Sequence, residues 1–218
     1  MTLSILLVED HTLVRSGIRS LLDDSPEVKV VGEAGNGREA MELCARLNPD
    51  LILMDVEMRE LNGIETTRRI IREHPETKVI MLSMYSEPQY VFESLRAGAV
   101  GYVLKDAAFN ELLSAIRLVK AGRRYLSPPL TELVMEDYVD RASGKKLSEN
   151  ILDKLSGRER EILQLVAEGR SSGQVAALLH ISTRTVDAHR FNIMQKLGIH
   201  SIAGLTKFAI ANGLTSVR

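Results

Sequence analysis

The chain has one cysteine in 218 residues, Cys44, which excludes an internal disulfide and fits a reducing compartment. Cys44 lies on the apolar side of a helical pattern with Ala40 and Leu47, and it reads as a plain core residue. No run of about 18 apolar residues occurs and no signal-peptide pattern opens the chain, so a soluble, cytoplasmic protein is expected. Aromatic residues are scarce, and no stacking platform of the kind used on single-stranded RNA can be assembled from them. Net charge is lacking too, at −1, but the balance is uneven along the chain. Residues 1–125 hold 16 basic and 19 acidic residues, 126–150 hold 3 and 5, and 151–218 hold 9 and 5 with three histidines besides. An acidic beginning and a basic end suggest that only the end meets a polyanion.

What is present is a series of short apolar runs that stop at polar residues. Ile5–Val8 runs into Glu9 and Asp10, Leu51–Met54 into Asp55, Val79–Leu82 into Ser83, and Gly101–Leu104 into Lys105. With Val28–Ala34 they make five strands, alternating with helical patterns near 12–23, 37–47, 63–74, 88–97 and 107–121. Gly35-Asn36-Gly37, Asn62-Gly63 and Gly98 punctuate them. The pattern predicts a doubly wound parallel sheet with right-handed crossovers, whose ligands lie beyond the carboxyl ends of the strands. That edge collects three acids, a hydroxyl and a lysine. Crowded carboxylates favour either protonation or a bound cation, and hard oxygen donors suit Mg²⁺.

The alternation breaks around Ser127-Pro128-Pro129. An amphipathic stretch, Leu130–Tyr138, and a polar tail through Lys146 make 126–150 a linker between domains at 1–125 and 151–218. The second domain reads as all helical. One helix follows Ser156 and stops at Glu168-Gly169, a short one covers Ser172–Leu179, a longer one runs from Ser182 or Thr183 to Leu197, and a last one covers about 201–212. The second and third, joined by a four-residue turn, form a helix-turn-helix.

Leu7-Val8-Glu9-Asp10, Leu53-Met54-Asp55-Val56 and Gly101-Tyr102-Val103-Leu104-Lys105 resemble the receiver domain of bacterial two-component response regulators. The run Leu155–Leu163, with Ile181–Val186 and Lys196-Leu197-Gly198, resembles the LuxR-type DNA-binding domain. Together they resemble the NarL/FixJ family. The resemblance implies a flavodoxin-like receiver of five strands followed by a small all-α helix-turn-helix domain. It implies Asp55 as acceptor of a phosphoryl group from a partner histidine kinase. Glu9, Asp10, Asp55 and the backbone carbonyl of Glu57 would hold Mg²⁺, with Lys105 and Ser83 meeting phosphoryl oxygens. Tyr102 would be a switch aromatic, turning inward into space that Ser83 vacates; the plainer reading is a strand tyrosine with its hydroxyl in water. Phosphorylation would favour homodimers on double-stranded DNA with paired half-sites.

Two residues depart from the family pattern near the acidic pocket. Arg59 stands where proline is usual, so the loop loses a fixed φ. Asp106 follows Lys105 in place of proline, where a cis bond would cost ~3 kcal/mol. Glu57 and Tyr85 occupy the two variable positions that tune phosphoryl lifetime in the family, or are ordinary loop surface.

In the helix-turn-helix, helical spacing puts Val186, Ile193 and Leu197 inward and Arg184, Asp187, Ala188, Phe191 and Gln195 on the opposite face. The resemblance places base reading at Asp187, Ala188 and Phe191, with Asp187 suited to cytosine N4 and the other two to a thymine methyl. Phosphate contacts fall to Arg170, Ser182, Thr185, Arg190, Lys196 and Lys207. The run Ser171-Ser172-Gly173-Gln174 departs from the Ser-Asn-Lys-Glu commoner in the family it resembles, and Gly173 in the lysine's place weakens the propensity of the preceding helix. Leu205, Phe208 and Ala209 either form a dimer contact or complete the small core.

Two rivals stay in view. A phosphatase with an aspartate nucleophile would carry a second aspartate where Glu57 stands, and a substrate cap. A regulator whose receiver no longer takes phosphate is kept open by Arg59.

Overall fold

The computed structural model describes residues 2–106, 108–142 and 151–215, and the chain divides into two compact units, Met1–Ser143 and Gly144–Arg218. The polar tail at 143–150 lies outside the described residues. In the first unit, strands β1 (Leu3–Val8), β2 (Val28–Ala34), β3 (Leu51–Asp55), β4 (Lys78–Ser83), β5 (Gly101–Leu104) and β6 (Tyr125–Leu126) form one sheet. Their order is β2-β1-β3-β4-β5-β6, and every pairing is parallel. Helices α1 (Thr12–Asp23), α2 (Gly37–Leu47), α3 (Gly63–Glu73), α4 (Pro88–Arg96), α5 (Ala108–Lys120) and α6 (Pro128–Ala142) complete it.

The side-chain alternation of a strand divides the core in two. Leu6, Val8, Ile52, Met54 and Met81 face α2, α3 and α4, burying Ala40, Cys44, Ile70 and Val91. Ile5, Leu7, Leu51, Leu53, Ile80 and Leu82 face the other way, onto Ile18 and Leu22 of α1 and Leu112 and Ile116 of α5. Strands buried on both faces read as continuous apolar runs, which is why the sequence marks them clearly. Asn36 and Asn62 cap α2 and α3 by accepting from the backbone N–H of Glu39 and Glu65.

The sheet has six strands, a correction to the five expected. β6 is two residues long, Tyr125 and Leu126 pairing with Gly101 and Tyr102, too short to show an alternation. A polar clasp holds it. Ser127, fully buried, donates its N–H to the Tyr102 carbonyl at 3.0 Å, and its Oγ accepts from Leu104 N at 3.1 Å and donates to Glu111 Oε2 at 2.8 Å. Tyr125 OH donates to the same Glu111 oxygen at 2.9 Å. Beyond it, Leu130 of α6 is buried in the cluster that holds Tyr90 of α4. Ser127→Ala leaves a buried N–H and a carboxylate oxygen short of a partner. An expected loss of about 1–2 kcal/mol follows, read from urea melts; an unchanged midpoint would mean that water substitutes for the hydroxyl.

The second unit begins with a 3₁₀ turn at Ile151–Lys154, followed by α7 (Gly157–Ala167), α8 (Ser172–Leu179), α9 (Thr183–Leu197) and α10 (Ile202–Ala211). Capping boxes start α7 (Ser156, Glu159) and α8 (Ser171, Gln174), and Ser182 caps α9. Three residues separate α8 from α9, not four. His180 takes a left-handed conformation, φ 52°, and ends α8 directly. Leu205 and Ala209 are buried in this unit's core with Ile162, Val175, Val186 and Ile193, and Phe208 packs against it.

Candidate functional site

The carboxyl ends of β1, β3, β4 and β5 bring Glu9, Asp10, Asp55, Ser83 and Lys105 to one place. Glu9 and Asp55 are buried, and both meet the Lys105 ammonium, Nζ lying 2.6 Å from Glu9 Oε2 and 2.8 Å from Asp55 Oδ1. Asp55 Oδ1 also accepts from the Glu57 N–H at 3.2 Å. Asp55 Oδ2 is buried with no hydrogen-bond partner.

The three charges set one another's ionisation. Burial is the main force on Asp55; it pushes the carboxyl up to about 8, with neighbouring Glu9 pushing the same way and Lys105 only partly offsetting them. Burial opposes the charge on Glu9 too, but Lys105 outweighs it and holds Glu9 below the ordinary carboxylate range. Lys105 is raised, because its two carboxylates outweigh the burial that disfavours its charge. At neutral pH one negative charge on the pair faces one ammonium.

Ligand atoms of Glu9, Asp10, His11 and Asp55 lie within 4.8 Å of one another. Three carboxylates, one with an orphaned buried oxygen, fit a small divalent cation of hard character. Sequence reasoning missed His11, although it directly follows the acidic pair; its Nδ1 lies 2.8 Å from Asp10 Oδ1 and 3.1 Å from Glu9 Oε1. It missed Arg15 as well, whose Nη1 donates to the Glu9 carbonyl at 2.6 Å from one turn into α1.

The loop after β3 carries Arg59 at its surface. Met58 and Leu61 are buried on either side of exposed Arg59, and Glu60 takes a left-handed φ of 68° between them. No cis peptide bond occurs among the described residues. Across the site, Tyr85 joins the elements flanking the acids. Its OH donates to Glu57 Oε2 at 2.9 Å, its N–H to Ser83 Oγ at 3.0 Å, and its carbonyl accepts from Tyr102 OH at 2.8 Å. Its ring stacks on Tyr90 at 4.7 Å. Tyr102 is wholly buried, so its ring is already inward and its hydroxyl bonds protein, not water. An inward turn into space left by Ser83 is not needed to reach this conformation.

In the second unit, Arg184, Asp187, Ala188, Phe191 and Gln195 are exposed on α9, while Val186 and Ile193 are buried and Leu197 half-buried. Several of the expected contact residues are engaged within the unit. Ser182 Oγ accepts from Thr185 N–H at 3.1 Å and shares a hydrogen bond with the Thr185 hydroxyl at 2.8 Å. Lys196 Nζ bonds the buried Glu159 Oε2 at 2.7 Å. Arg170 is half-buried, Lys207 exposed.

The comparisons with known proteins agree with this geometry on both units. Residues 5–117 match the family described as "Response regulator receiver domain", and residues 153–209 match "Bacterial regulatory proteins, luxR family". The chain belongs to the NarL/FixJ-type response regulators. It is 36% identical to the response regulator UvrY of Escherichia coli K12 over 97% of this chain and 95% of that one. It is likewise 36% identical to the oxygen regulatory protein NreC of Staphylococcus carnosus, over 97% and 99%. Among solved structures, RcsB of Salmonella enterica serovar Typhimurium, bound to a promoter in the presence of the phosphomimetic BeF3⁻, matches with a TM-score of 0.62 and 25% identity. That match covers 99% of this chain and 100% of RcsB. This response regulator therefore pairs a receiver with a LuxR-type DNA-binding domain and regulates transcription. Among its described residues no helix is long and apolar enough to cross a membrane.

One tie inside the DNA-binding domain of this regulator carries a prediction. Burial disfavours the charge on Glu159, yet Lys196 and the Ser156 N–H outweigh it and hold the carboxyl below its ordinary value. A depressed carboxyl contributes stability above its unfolded pKa, and that stability is lost as pH falls through the folded value. Lys196→Ala is expected to cost about 1 kcal/mol at neutral pH and nothing at a pH where Glu159 is protonated. Melts over a series of falling pH check this; a loss that does not shrink as pH falls would assign the effect to packing.

Proposed function

We propose that Asp55 accepts a phosphoryl group from a partner histidine kinase and thereby controls dimerisation and DNA binding of the chain. The observation that carries the reading is the state of Asp55: buried, its Oδ1 held by Lys105 and the Glu57 N–H, its Oδ2 left without a partner. Once ionised, as bound Mg²⁺ would favour, this carboxylate would attack phosphorus in line, the bond from phosphorus to the donor breaking as the new one forms. Positioning and neutralisation of charge then do most of the work.

Glu9, Asp10, Asp55 and the Glu57 backbone carbonyl would hold Mg²⁺, which when bound supplies positive charge for the carboxylates and the incoming phosphoryl oxygens. Lys105 would turn its ammonium from the carboxylates to a phosphoryl oxygen. Ser83 would rotate its hydroxyl from the Tyr85 N–H to another, and the loosened Tyr85 would release the Tyr102 hydroxyl that its carbonyl now holds. Switching then begins with the Tyr85 backbone.

Residues 1–125 act as the receiver, 126–150 as the connection and 151–218 as the DNA-reading domain, working in the cytoplasm. Leu205 and Ala209 are spent on the core, so a homodimer on paired half-sites uses other surfaces. Arg184, Ala188, Phe191 and Gln195 face the groove, while Arg170, Arg190 and the Ser182–Thr185 cap meet phosphates. Against the phosphatase reading, the place of its second aspartate is taken by Glu57, whose Oε2 accepts from Tyr85 OH.

The test is intact mass after incubation with Mg²⁺ and a small acyl-phosphate donor. Wild type should gain one phosphoryl group, ~80 Da, and Asp55→Asn none. A gain by both would move the acceptor elsewhere. No gain by either, with a cognate kinase also tried, would leave control independent of phosphate.

A further inference from the structure

The exposed face of α9 presents one anion, Asp187, where a polyanion would dock. Three hydrogen-bonding groups from two helices meet there. Ser172, in the first turn of α8, donates its hydroxyl to Asp187 Oδ1 at 2.7 Å, and the same Oγ accepts from Arg190 Nη1 at 2.7 Å. Arg190 Nη1 and Asp187 Oδ1 lie 3.6 Å apart, on the same face at i and i+3. A serine hydroxyl has one donor and acceptor capacity to spare, so Ser172 satisfies an anion and a cation at once. The three groups close a triangle that bolts the start of α8 to α9.

This arrangement bears on what Asp187 can do. With Oδ1 held by Ser172 and Arg190, reading cytosine N4 would fall to Oδ2 alone, on a carboxylate brought up to the duplex against the repulsion of the phosphates. Arg190, by contrast, is only about a quarter exposed and is held at a fixed angle, with Nη1 committed to Ser172. Its other donors include a buried Nε with no partner. With Nε buried and Nη1 tied to Ser172, the exposed remainder of the guanidinium would meet a phosphate with little orientational freedom left to lose.

We propose that Asp187 is a positioning residue and not a base-reading one: with Ser172 it fixes Arg190 for a DNA phosphate, leaving base edges to Arg184, Ala188 and Phe191. The inference rests on α9 being the helix that enters the groove. It assigns to Ser172, a residue of the preceding helix, a part in affinity that its own position does not suggest. It also explains how a recognition helix tolerates an acid on its exposed face, since the charge is neutralised within the protein.

The experiment is selection of duplexes from a randomised library by the full chain, followed by binding titrations over a range of salt. Wild type is compared with Asp187→Ala, Asp187→Asn, Ser172→Ala and Arg190→Ala, whose side chains lie outside the buried core. The expected result is one sequence preference shared by wild type, both Asp187 variants and Ser172→Ala. Ser172→Ala should weaken every duplex about three- to tenfold, as loss of one hydrogen bond implies. The Ser172→Ala/Asp187→Ala double variant should bind no more weakly than the weaker single one, because the residues act as a unit. Arg190→Ala should lower the salt slope by about one. A preference altered at one base of each half-site in Asp187→Ala, with Ser172→Ala behaving as wild type, would overturn the proposal and make Asp187 a reader. If wild type treated with the acyl-phosphate donor enriches a duplex that Phe191→Ala and Arg184→Ala bind with unchanged preference and affinity, the groove assignment of α9 falls and the proposal with it.

Discussion

Lys105→Met is expected to destabilise the cation-free protein by about 3 kcal/mol or more at pH 8.5, far less at pH 5.5, and to slow phosphoryl uptake about 100-fold. The ammonium is the partner of both buried carboxylates, at 2.6 Å and 2.8 Å. Removing one side of a buried pair leaves an uncompensated charge, a cost of about 3–5 kcal/mol. A carboxyl escapes that cost by taking a proton, so the loss depends on pH. Asp55 in the folded protein titrates at about 8, above its ordinary value of 3.8, chiefly through burial. For a group raised in this way, the contribution to stability is complete below the unfolded pKa and is lost as pH rises through the folded one. Wild type therefore weakens between pH 4 and 8 at this site, and without Lys105 the weakening steepens. The gap between the two proteins must widen with pH. Urea melts in chelator at pH 5.5 and 8.5 measure the gap, and addition of Mg²⁺ should close part of it by favouring the ionised acids. The kinetic loss follows from removing a preorganised cation from a developing negative charge, an effect of about 10²–10³. Equal destabilisation at both pH values would show that Lys105 contributes packing and not neutralisation. Asp55→Asn, which cannot ionise, should remove the wild-type slope over the same range.

The residues of this pocket were legible because the backbone carries them. A parallel strand buried on both faces must be apolar throughout, so the residue that ends it stands out, and Glu9, Asp55, Ser83 and Lys105 were found that way. Helices with a cap at one end and glycine or asparagine at the other, α2 and α9, were equally plain, and α1 and α8 also begin and end where their spacing predicts without both signals. What escaped was pairing between elements. Nothing periodic ties Ser127 to Leu104, Tyr85 to Glu57, or Ser172 to Asp187, because each bond joins positions that meet only once the chain has folded. The same reason hid the inward setting of Tyr102, whose hydroxyl answers to a carbonyl seventeen residues earlier. Asp187 read as a base contact, and its bond to Ser172 on α8 left no trace in the spacing.

Gly63 shows the same limit in a single atom. In sequence, Asn62-Gly63 marks the start of α3 and nothing more. In an exposed helix start, alanine would be preferred to glycine by about 1 kcal/mol. In the fold, a Cβ at Gly63 would sit 1.8 Å from the Asp55 carbonyl oxygen and 2.9 Å from its carbon, with Met54 Cγ at 3.0 Å. The Gly63 N–H meanwhile donates to the Val56 carbonyl at 2.9 Å, which holds α3 against the end of β3. The two nearest atoms in the way are buried backbone, which cannot turn aside as the Met54 side chain could. Either α3 backs away and breaks that bond, or the peptide after Asp55 rotates and takes the Glu57 N–H off Asp55 Oδ1. Gly63→Ala is therefore expected to lose about 3 kcal/mol, the upper end of overpacking costs, and to take phosphoryl uptake down with it although no ligand atom has been changed. Gly173 provides the contrast: a Cβ there meets only Ser171 Oγ, at 4.0 Å, so Gly173→Ala should gain up to about 1 kcal/mol. Thermal melts of the two variants have opposite expected signs. A stabilised Gly63→Ala would mean that the end of β3 yields easily, and the rigidity on which an acceptor at Asp55 depends would have to come from elsewhere in the site.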